Sequence, residues 1–207
     1  MIKNKKIIIF DLDGVILDSI DFVREYMFYK YEGMTDKDFK NIFLTNFWDG
    51  LNNFREIARK EYTIHEEYSK NSRANNKDVI IFKKMKESIE YLSKKYLLVI
   101  NSSDRKNDII ERLRFNNMLD FFDFIAGEEV SKNKTEKFNI ILEKYNVSPR
   151  EVIFITDTIG DIIESDKVGV DSIAVTWGVH SREDFGKQKF SNLILILDEI
   201  DDLKIIF

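Results

Sequence analysis

Short apolar runs recur along the chain and alternate with longer stretches that have helical periodicity. Such nearly continuous runs are typical of strands covered on both faces, and each one leads into a polar or acidic turn. The predicted strands are Ile7–Phe10, 96–100, 122–126, Val152–Thr156, 172–176 and Leu193–Leu197. The predicted helices between them are 79–94, 108–117 and 136–145. This alternation predicts an α/β fold with a mostly parallel sheet, in which ligands bind beyond the carboxyl ends of the strands.

Residues 19–77 interrupt the alternation. This stretch is rich in aromatic residues at helical spacing, shows no strand pattern, and ends in the polar run SKNSRANNKD, which is typical of a linker. We therefore expect an all-helical insert at 19–77, placed between the two parts of a core formed by residues 1–18 and 78–207.

The composition narrows the functional class. The 207 residues are 43% hydrophobic and 33% charged, with a net charge of −5 and no cysteine. No basic stripe suggests a nucleic-acid partner, and the lack of cysteine excludes disulfides and a thiolate nucleophile. No apolar stretch is long enough to suggest a membrane span. We expect a cytoplasmic enzyme or binding protein of unknown oligomeric state.

Acidic residues follow two of the predicted strands. Asp11 and Asp13 come directly after Ile7–Phe10 in IIIFDLDG, and Asp157 and Asp161 follow Val152–Thr156 in VIFITDTIGD. If these strands are neighbours, the carboxylates converge on one site whose oxygen-only donors suit Mg²⁺. The alternatives are a surface Asp-Gly turn and helix capping by Asp157 or Asp161.

Two further segments carry groups that could bind an anion. Asn101, Ser102 and Ser103 follow another strand in LLVINSSDR, where short polar side chains and helix amides can form an anion pocket. Capping of the next helix by Ser103 or Asp104 is the alternative. In SKNKTEKF, Lys132 or Lys134 could balance phosphate and carboxylate charge.

Taken in order, DLDGVILDS, NSSD, a lysine before a helix and TDTIGD resemble the motifs of the haloacid dehalogenase-like hydrolase superfamily. The later AVTWGVHS is similar to a segment of its phosphoglycolate-phosphatase-like members. The resemblance covers nearly the whole chain. It departs from the family pattern at Asn101, where a serine or threonine is usual.

The resemblance implies a Rossmann-like core, with residues 19–77 as a helical cap. It also implies a Mg²⁺-dependent phosphatase that acts on a small phosphorylated metabolite. Asp11 would be the nucleophile that forms an aspartyl-phosphate, and Asp13 the general acid and base. Mg²⁺ would be held by Asp11, the Asp13 carbonyl oxygen and Asp157, with Asp161 acting directly or through water.

Some alternatives stay open at this point. Asp13 argues against a dehalogenase, and the long insert argues against a phospho-accepting receiver domain. A phosphomutase or a low-turnover binding or regulatory module remains compatible with the motifs. For phosphate binding we expect Lys132 rather than Lys134, which would be solvated. Asn101 and Ser102 would both line the pocket, with Ser102 favoured for the direct contact.

Overall fold

The structure, a computed structural model, describes residues 4–64 and 79–207. It contains a six-stranded parallel sheet flanked by helices. The strands of this sheet are β1 (Ile7–Phe10), β4 (Leu97–Asn101), β5 (Phe124–Ala126), β6 (Val152–Thr156), β7 (Asp171–Val175) and β8 (Leu193–Leu197). Their order across the sheet is β5-β4-β1-β6-β7-β8. The expected α/β fold with a Rossmann-like core is confirmed.

The helices lie mainly in the connections between the strands. They are α1 (Ile20–Lys30), α2 (Asp36–Ile42), α3 (Phe47–Glu61), α4 (Met85–Ser93), α5 (Lys106–Phe115), α6 (Lys134–Tyr145), α7 (Ile159–Asp166), α8 (Arg182–Gly186) and α9 (Asp202–Ile206). Short 3₁₀ turns occupy Leu119–Phe121 and Pro149–Glu151. No helix among the described residues is both long and apolar enough to cross a bilayer.

Strand β1 lies at the centre of the sheet, between β4 and β6. Its four residues are completely buried, and side chains that alternate along it join separate cores on the two faces. Ile7 pairs with Leu97 on one side and with Val152 on the other. The carboxyl ends of β1 and β6 are therefore adjacent, as the convergence of the acidic motifs requires.

Helices α1 to α3 follow β1 and form a cluster of their own around Phe39, Leu51 and Phe54, which Val179 of the core joins. The expectation that the insert is all-helical was wrong, because it also contains an antiparallel pair of two-residue strands, β2 (Tyr31–Glu32) and β3 (Thr63–Ile64). Because these strands are so short, the aromatic helical pattern conceals them in the sequence.

The chain leaves the core and returns to it at neighbouring points. Leu17 forms an antiparallel bridge with Ile81, and the amide of Phe82 donates to the carbonyl of Ile16. The part of the expected insert at 65–77 and the whole of the linker SKNSRANNKD lie outside the described residues. The helix expected at 79–94 begins only at Met85, because residues 79–82 make this bridge and Lys84 has a left-handed φ of 71°.

Candidate active site

Three of the expected carboxylates meet where β1 and β6 end. Asp11 follows β1, Asp157 follows β6, and Asp161 lies in the first turn of α7. All three are at least nine-tenths buried, and they line one cavity together with Asp13, Ser102 and Lys134. The structure thus brings together residues that are widely separated in the chain.

A buried lysine joins two of these carboxylates. The Lys134 ammonium lies 2.9 Å from Asp11 Oδ2 and 2.5 Å from Asp161 Oδ2, and its side chain is only 3% exposed. The hydroxyl of Thr156 also donates to Asp161 Oδ2, at 2.8 Å. Lys134 therefore places a positive charge beside the predicted nucleophile, and the expectation that it is solvated was wrong.

The expected phosphate-side lysine, Lys132, lies elsewhere. Its side chain is 63% exposed, its ammonium is 3.8 Å from Glu128 Oε1, and it packs over the Trp48 ring at 4.4 Å. Helix α6 begins at Lys134, with Asn133 as its N-cap. Lys134 in the first turn is directed at the sheet edge, whereas Lys132 precedes the helix in an exposed loop.

Burial and mutual repulsion dominate the electrostatics of this cluster. Burial raises the pKa of Asp11 well above its usual value, and the neighbouring Asp161 and Asp157 add to this against the opposing effect of Lys134. Burial also raises the pKa of Asp157, to about 7. Burial would raise the pKa of Asp161 too, but the charge of Lys134 and the hydrogen bonds with Asp11, Lys134 and Thr156 together leave that pKa below the ordinary value.

The carboxylate of Asp157 is enclosed by two glycines. A Cβ at Gly14 would lie 2.2 Å from Asp157 Oδ2, and a Cβ at Gly178 would lie 2.1 Å from the same oxygen. Gly14 also has a φ of +75°, a conformation that favours glycine. The amide of Val179 donates to Asp157 Oδ2 at 2.8 Å, which fixes the orientation of the carboxylate. The DLDG and TWG segments therefore position Asp157.

Asp13 is the most exposed of the four predicted site carboxylates, with 27% of its side chain accessible. Its Oδ1 lies 3.5 Å from Nη1 of Arg112 on α5, and the same guanidinium nitrogen donates to Asp104. Burial, followed by the charge of Asp13, raises the pKa of Asp104 to about 7. Asp13 thus belongs to a three-residue cluster with Arg112 and Asp104.

Of the two polar residues at the end of β4, Ser102 faces the cavity and Asn101 does not. Strand pairing extends to Asn101, opposite Ala126, so that Ser102 is the first residue beyond the strand and lines the cavity. Asn101 is fully buried, is not part of the cavity wall, and has no hydrogen-bond partner for its amide. The expected pocket contact therefore fits Ser102 and not Asn101.

A second buried lysine supports this segment. Lys137 donates to the carbonyl oxygen of Ser102 at 2.5 Å, and burial lowers the pKa of Lys137 to about 8. Because α6 begins at Lys134, Lys134 and Lys137 lie one turn apart on the same helix face.

The donor atoms fit a bound Mg²⁺ in chemical type. Across the two described ranges, no three acidic or imidazole side chains are already arranged as a metal site, and Lys134 contacts both Asp11 and Asp161. However, Asp157 Oδ1 is buried without a hydrogen-bond partner. An unpaired buried carboxylate oxygen in an all-oxygen cluster is a plausible ligand for a hard cation, which would offset the repulsion between the carboxylates.

Sequence reasoning missed Arg112, Lys137 and the steric role of Gly178. Arg112 lies on the same face of α5 as the buried residues Ile109 and Leu113. A charged residue on an apolar helix face is the sequence pattern that could have identified it. Asn133 and Glu136 have the spacing of a helix start, which would have placed Lys134 in the first turn. Nothing in the sequence indicates that Gly178 contacts Asp157.

Comparisons with known proteins are consistent with this arrangement. The family model described as haloacid dehalogenase-like hydrolase matches residues 8–175. A phosphoglycolate phosphatase of Vibrio vulnificus is 22% identical over 200 residues, which cover 86% of each chain. The family resemblance expected from the motifs is confirmed.

Solved structures show the same fold. A haloacid dehalogenase-like family hydrolase from Streptococcus pneumoniae superposes with a TM-score of 0.74 at 19% identity, over 98% of both chains. A protein from Haemophilus somnus, described as a predicted phosphoglycolate phosphatase, also has a TM-score of 0.74, at 17% identity over both complete chains.

Proposed function

The chain belongs to the haloacid dehalogenase-like hydrolases, and we propose that it is a Mg²⁺-dependent phosphatase that hydrolyses small phosphate monoesters through an aspartyl-phosphate. The observation that carries this proposal is the buried cluster of Asp11, Asp157, Asp161 and Lys134 beside the more accessible Asp13. The proposal also assigns helices α1 to α3, within residues 19–77, to a cap over this cluster.

In the proposed first step, an Asp11 carboxylate oxygen attacks the phosphorus atom. A bond forms between Asp11 and phosphorus while the bond from phosphorus to the leaving oxygen breaks. Asp13 gives its proton to that oxygen, so that a neutral alcohol departs. Lys134 favours the ionised form of Asp11 that attacks, because its ammonium lies 2.9 Å from Asp11 Oδ2 and opposes the effect of burial on the Asp11 pKa.

In the second step, the Asp13 carboxylate removes a proton from a water molecule, whose oxygen attacks phosphorus. The Asp11–phosphorus bond breaks, which releases inorganic phosphate and restores Asp11. Ser102 and Ser103 line the cavity, where their polar groups can orient the phosphoryl oxygens.

Asp11, the carbonyl oxygen of Asp13 and Asp157 would hold Mg²⁺. Asp161 already accepts hydrogen bonds from Lys134 and Thr156, so we assign it to the metal through water. When bound, the ion supplies the positive charge that lets a phosphate dianion approach several carboxylates.

The test uses p-nitrophenyl phosphate and measures the release of inorganic phosphate with Mg²⁺ and with excess EDTA. We expect activity only with the metal, and a loss of roughly 10⁴-fold or more for Asp11→Asn because a covalent nucleophile is removed. The exposed Asp120→Asn variant is the matched control and should retain full activity. Undiminished turnover in EDTA would contradict the metal requirement.

The covalent step has a separate test. Asp13→Asn keeps the backbone carbonyl and the nucleophile but loses the base that activates water. With p-nitrophenyl phosphate, whose leaving group needs little protonation, the aspartyl-phosphate should accumulate. Acid quenching and mass spectrometry should then find a phosphoryl group on the peptide that contains Asp11. A phosphoryl group on any other residue would contradict the assignment.

The natural substrate needs a wider panel of phosphate monoesters. 2-Phosphoglycolate belongs in that panel, because it is the substrate in the name of the Vibrio vulnificus relative.

A further inference from the structure

We propose that the enzyme selects monoesters whose leaving alcohol is small, uncharged and apolar, and that it discriminates against anionic leaving groups such as glycolate. This inference rests on the proposed phosphatase function and specifies its substrate class. The inference rests on one small cavity that is lined both by apolar side chains from α1 and from the segment at the start of α3, and by carboxylates. We call the carboxylate residues of this lining the floor; they are Asp11, Asp13, Asp104, Asp157 and Asp161.

The residues of 19–64 that line the cavity are Ile20, Val23, Phe43 and Phe47, which are apolar, and Thr45, whose hydroxyl donates to the carbonyl oxygen of Asn46. We call the four apolar residues the cap wall. The Phe43 and Phe47 rings are stacked, with centroids 5.6 Å apart and planes inclined by 30°. The cap wall therefore presents aliphatic and aromatic carbon to the part of a substrate that extends away from phosphorus.

The cap wall is held against the core by backbone contacts. The amide of Gly160 on α7 donates to the carbonyl oxygen of Phe43 at 2.8 Å, and a Cβ at Gly160 would lie 1.9 Å from the carbonyl oxygen of Thr45. The Asn46 amide also donates to Glu164 Oε2 at 2.9 Å. Phe43 and Phe47 flank this docked segment, so their position over the floor is fixed by the core.

No arginine or lysine from residues 4–64 lines the cavity. Arg24 is 3.3 Å from both Asp21 and Asp36, and Lys40 pairs with Asp184 along a different cavity. A carboxylate on the leaving group would therefore lose its hydration against the cap wall without gaining a counter-charge from it.

The floor also repels a negatively charged leaving group. Asp13 and Asp104 both line the cavity, and the guanidinium close to them, that of Arg112, already contacts both carboxylates. Among the described residues that line the cavity, Lys134 is the only one with a positive charge, and its ammonium contacts both Asp11 and Asp161. An anionic leaving group thus meets negative charge on one side and carbon on the other.

The cavity is small, at about 110 Å³, and is partly open to solvent. A small alcohol can therefore lie wholly against the cap wall, whereas a larger one extends out of the cavity. Cationic alcohols are less favoured, because Asp13 and Asp104 already share the Arg112 guanidinium and the cap wall offers an ammonium group no hydrogen-bond acceptor.

The experiment compares three phosphate monoesters at equal Mg²⁺ concentration through their kcat/KM for phosphate release. Isobutyl phosphate and 2-phosphoglycolate are close in size but differ in charge, and 2-aminoethyl phosphate supplies a cation. We expect isobutyl phosphate to exceed each of the others by about tenfold or more, the discrimination that one unmatched contact can give. A preference for 2-phosphoglycolate or 2-aminoethyl phosphate would overturn the inference.

A charge introduced into the cap wall provides the second measurement. Val23→Lys should raise the ratio of kcat/KM for 2-phosphoglycolate over isobutyl phosphate by about tenfold. Ile57→Lys, at a half-exposed position of α3 away from the cavity, should leave that ratio unchanged. An unchanged ratio in a folded Val23→Lys protein would contradict the assignment of the cap wall.

The failure of this inference is distinguishable from the failure of the proposed function. If 2-phosphoglycolate is preferred and Asp11→Asn abolishes its hydrolysis, the enzyme is a phosphatase and only the substrate class is wrong. If the folded protein with Mg²⁺ hydrolyses neither p-nitrophenyl phosphate nor any of the three esters, the proposed function fails and this inference fails with it.

Discussion

The Arg112 guanidinium lies 3.5 Å from the Asp13 carboxylate and also bonds the carboxylate of Asp104, so one cation holds two acids side by side. Asp13 lines the cavity and must give and take protons at a fixed position. Arg112 does not line the cavity, so it can act on the reaction only through Asp13 and Asp104. Arg112 is therefore a positioning residue for the general acid and base, and it leaves the phosphate site itself unchanged.

We expect Arg112→Met to lower kcat by about 10- to 100-fold with little change in KM, because a small displacement of a catalytic group has effects of this size. Steady-state kinetics with p-nitrophenyl phosphate measures both values. Arg114→Met, an exposed neighbour on α5, is the control and should behave as wild type. A rise in KM with unchanged kcat would assign Arg112 to substrate binding.

The two lysines before and within α6 should differ sharply. Lys134→Met removes the cation between Asp11 and Asp161, and we expect kcat/KM to fall by about 10²- to 10³-fold, as it does when a preorganised electrostatic contact is removed. Lys132→Met should stay within about threefold of wild type, because its ammonium is exposed. Circular dichroism checks that both variants fold. A greater loss at Lys132 would reverse the assignment.

Gly178→Ala should weaken Mg²⁺ activation. Its new methyl group would meet Asp157 Oδ2 at 2.1 Å, so the carboxylate must move. We expect the Mg²⁺ concentration for half-maximal activity to rise about 10-fold or more, in the range found when groups that orient metal ligands are altered. Gly186→Ala is the matched control, because no atom lies within 4 Å of its added Cβ. Equal Mg²⁺ requirements for the two variants would contradict this role of Gly178.

His180 should make stability depend on pH. It is 1% exposed, its Nδ1 accepts from the amide of Ile159, and burial lowers its pKa to about 4. Between pH 6.5 and 4 the unfolded chain therefore binds a proton at His180 that the folded chain does not. The folded state loses stability as the pH falls through this window, by up to about 3 kcal/mol.

His180→Asn keeps a hydrogen-bond acceptor but removes this titration. Urea unfolding at pH 7, 5.5 and 4 should show that the free energy of unfolding falls by about 2–3 kcal/mol less in His180→Asn than in wild type. Parallel pH dependences of the two proteins would show that His180 titrates normally in the folded state.

The fold was predictable because a strand covered on both faces leaves a continuous apolar run, as in Ile7–Phe10. The positions of Asp11 and Asp157 were predictable for a related reason, since both directly follow such strands. The two-residue strands β2 and β3 were not, because a pair so short produces no periodic pattern. The choice between neighbouring lysines depended on where α6 begins, which the Asn133 cap decides.

Residues that act through spatial neighbours were beyond prediction. Arg112 is separated from Asp13 by the whole inserted segment, and its pairing depends on how α5 packs against the end of β1. Asn101 has the polar character expected of a pocket residue, but the pairing of β4 continues through it and turns its side chain into the interior. Both cases depend on register and packing, which chemical type does not reveal.

The central place of β1 also constrains how the protein folds. Strand β1, which Asp11 follows, precedes the other strands of its sheet in the chain, yet its pairing is complete only when Leu97 and Val152 are available to pair with Ile7. Such non-local pairings slow folding, because long loops must close before their contacts form. Until β6 has been synthesised, Asp11 lacks the neighbour that carries Asp157. Catalytic competence should therefore emerge late during synthesis and refolding, after the sheet has closed around its first strand.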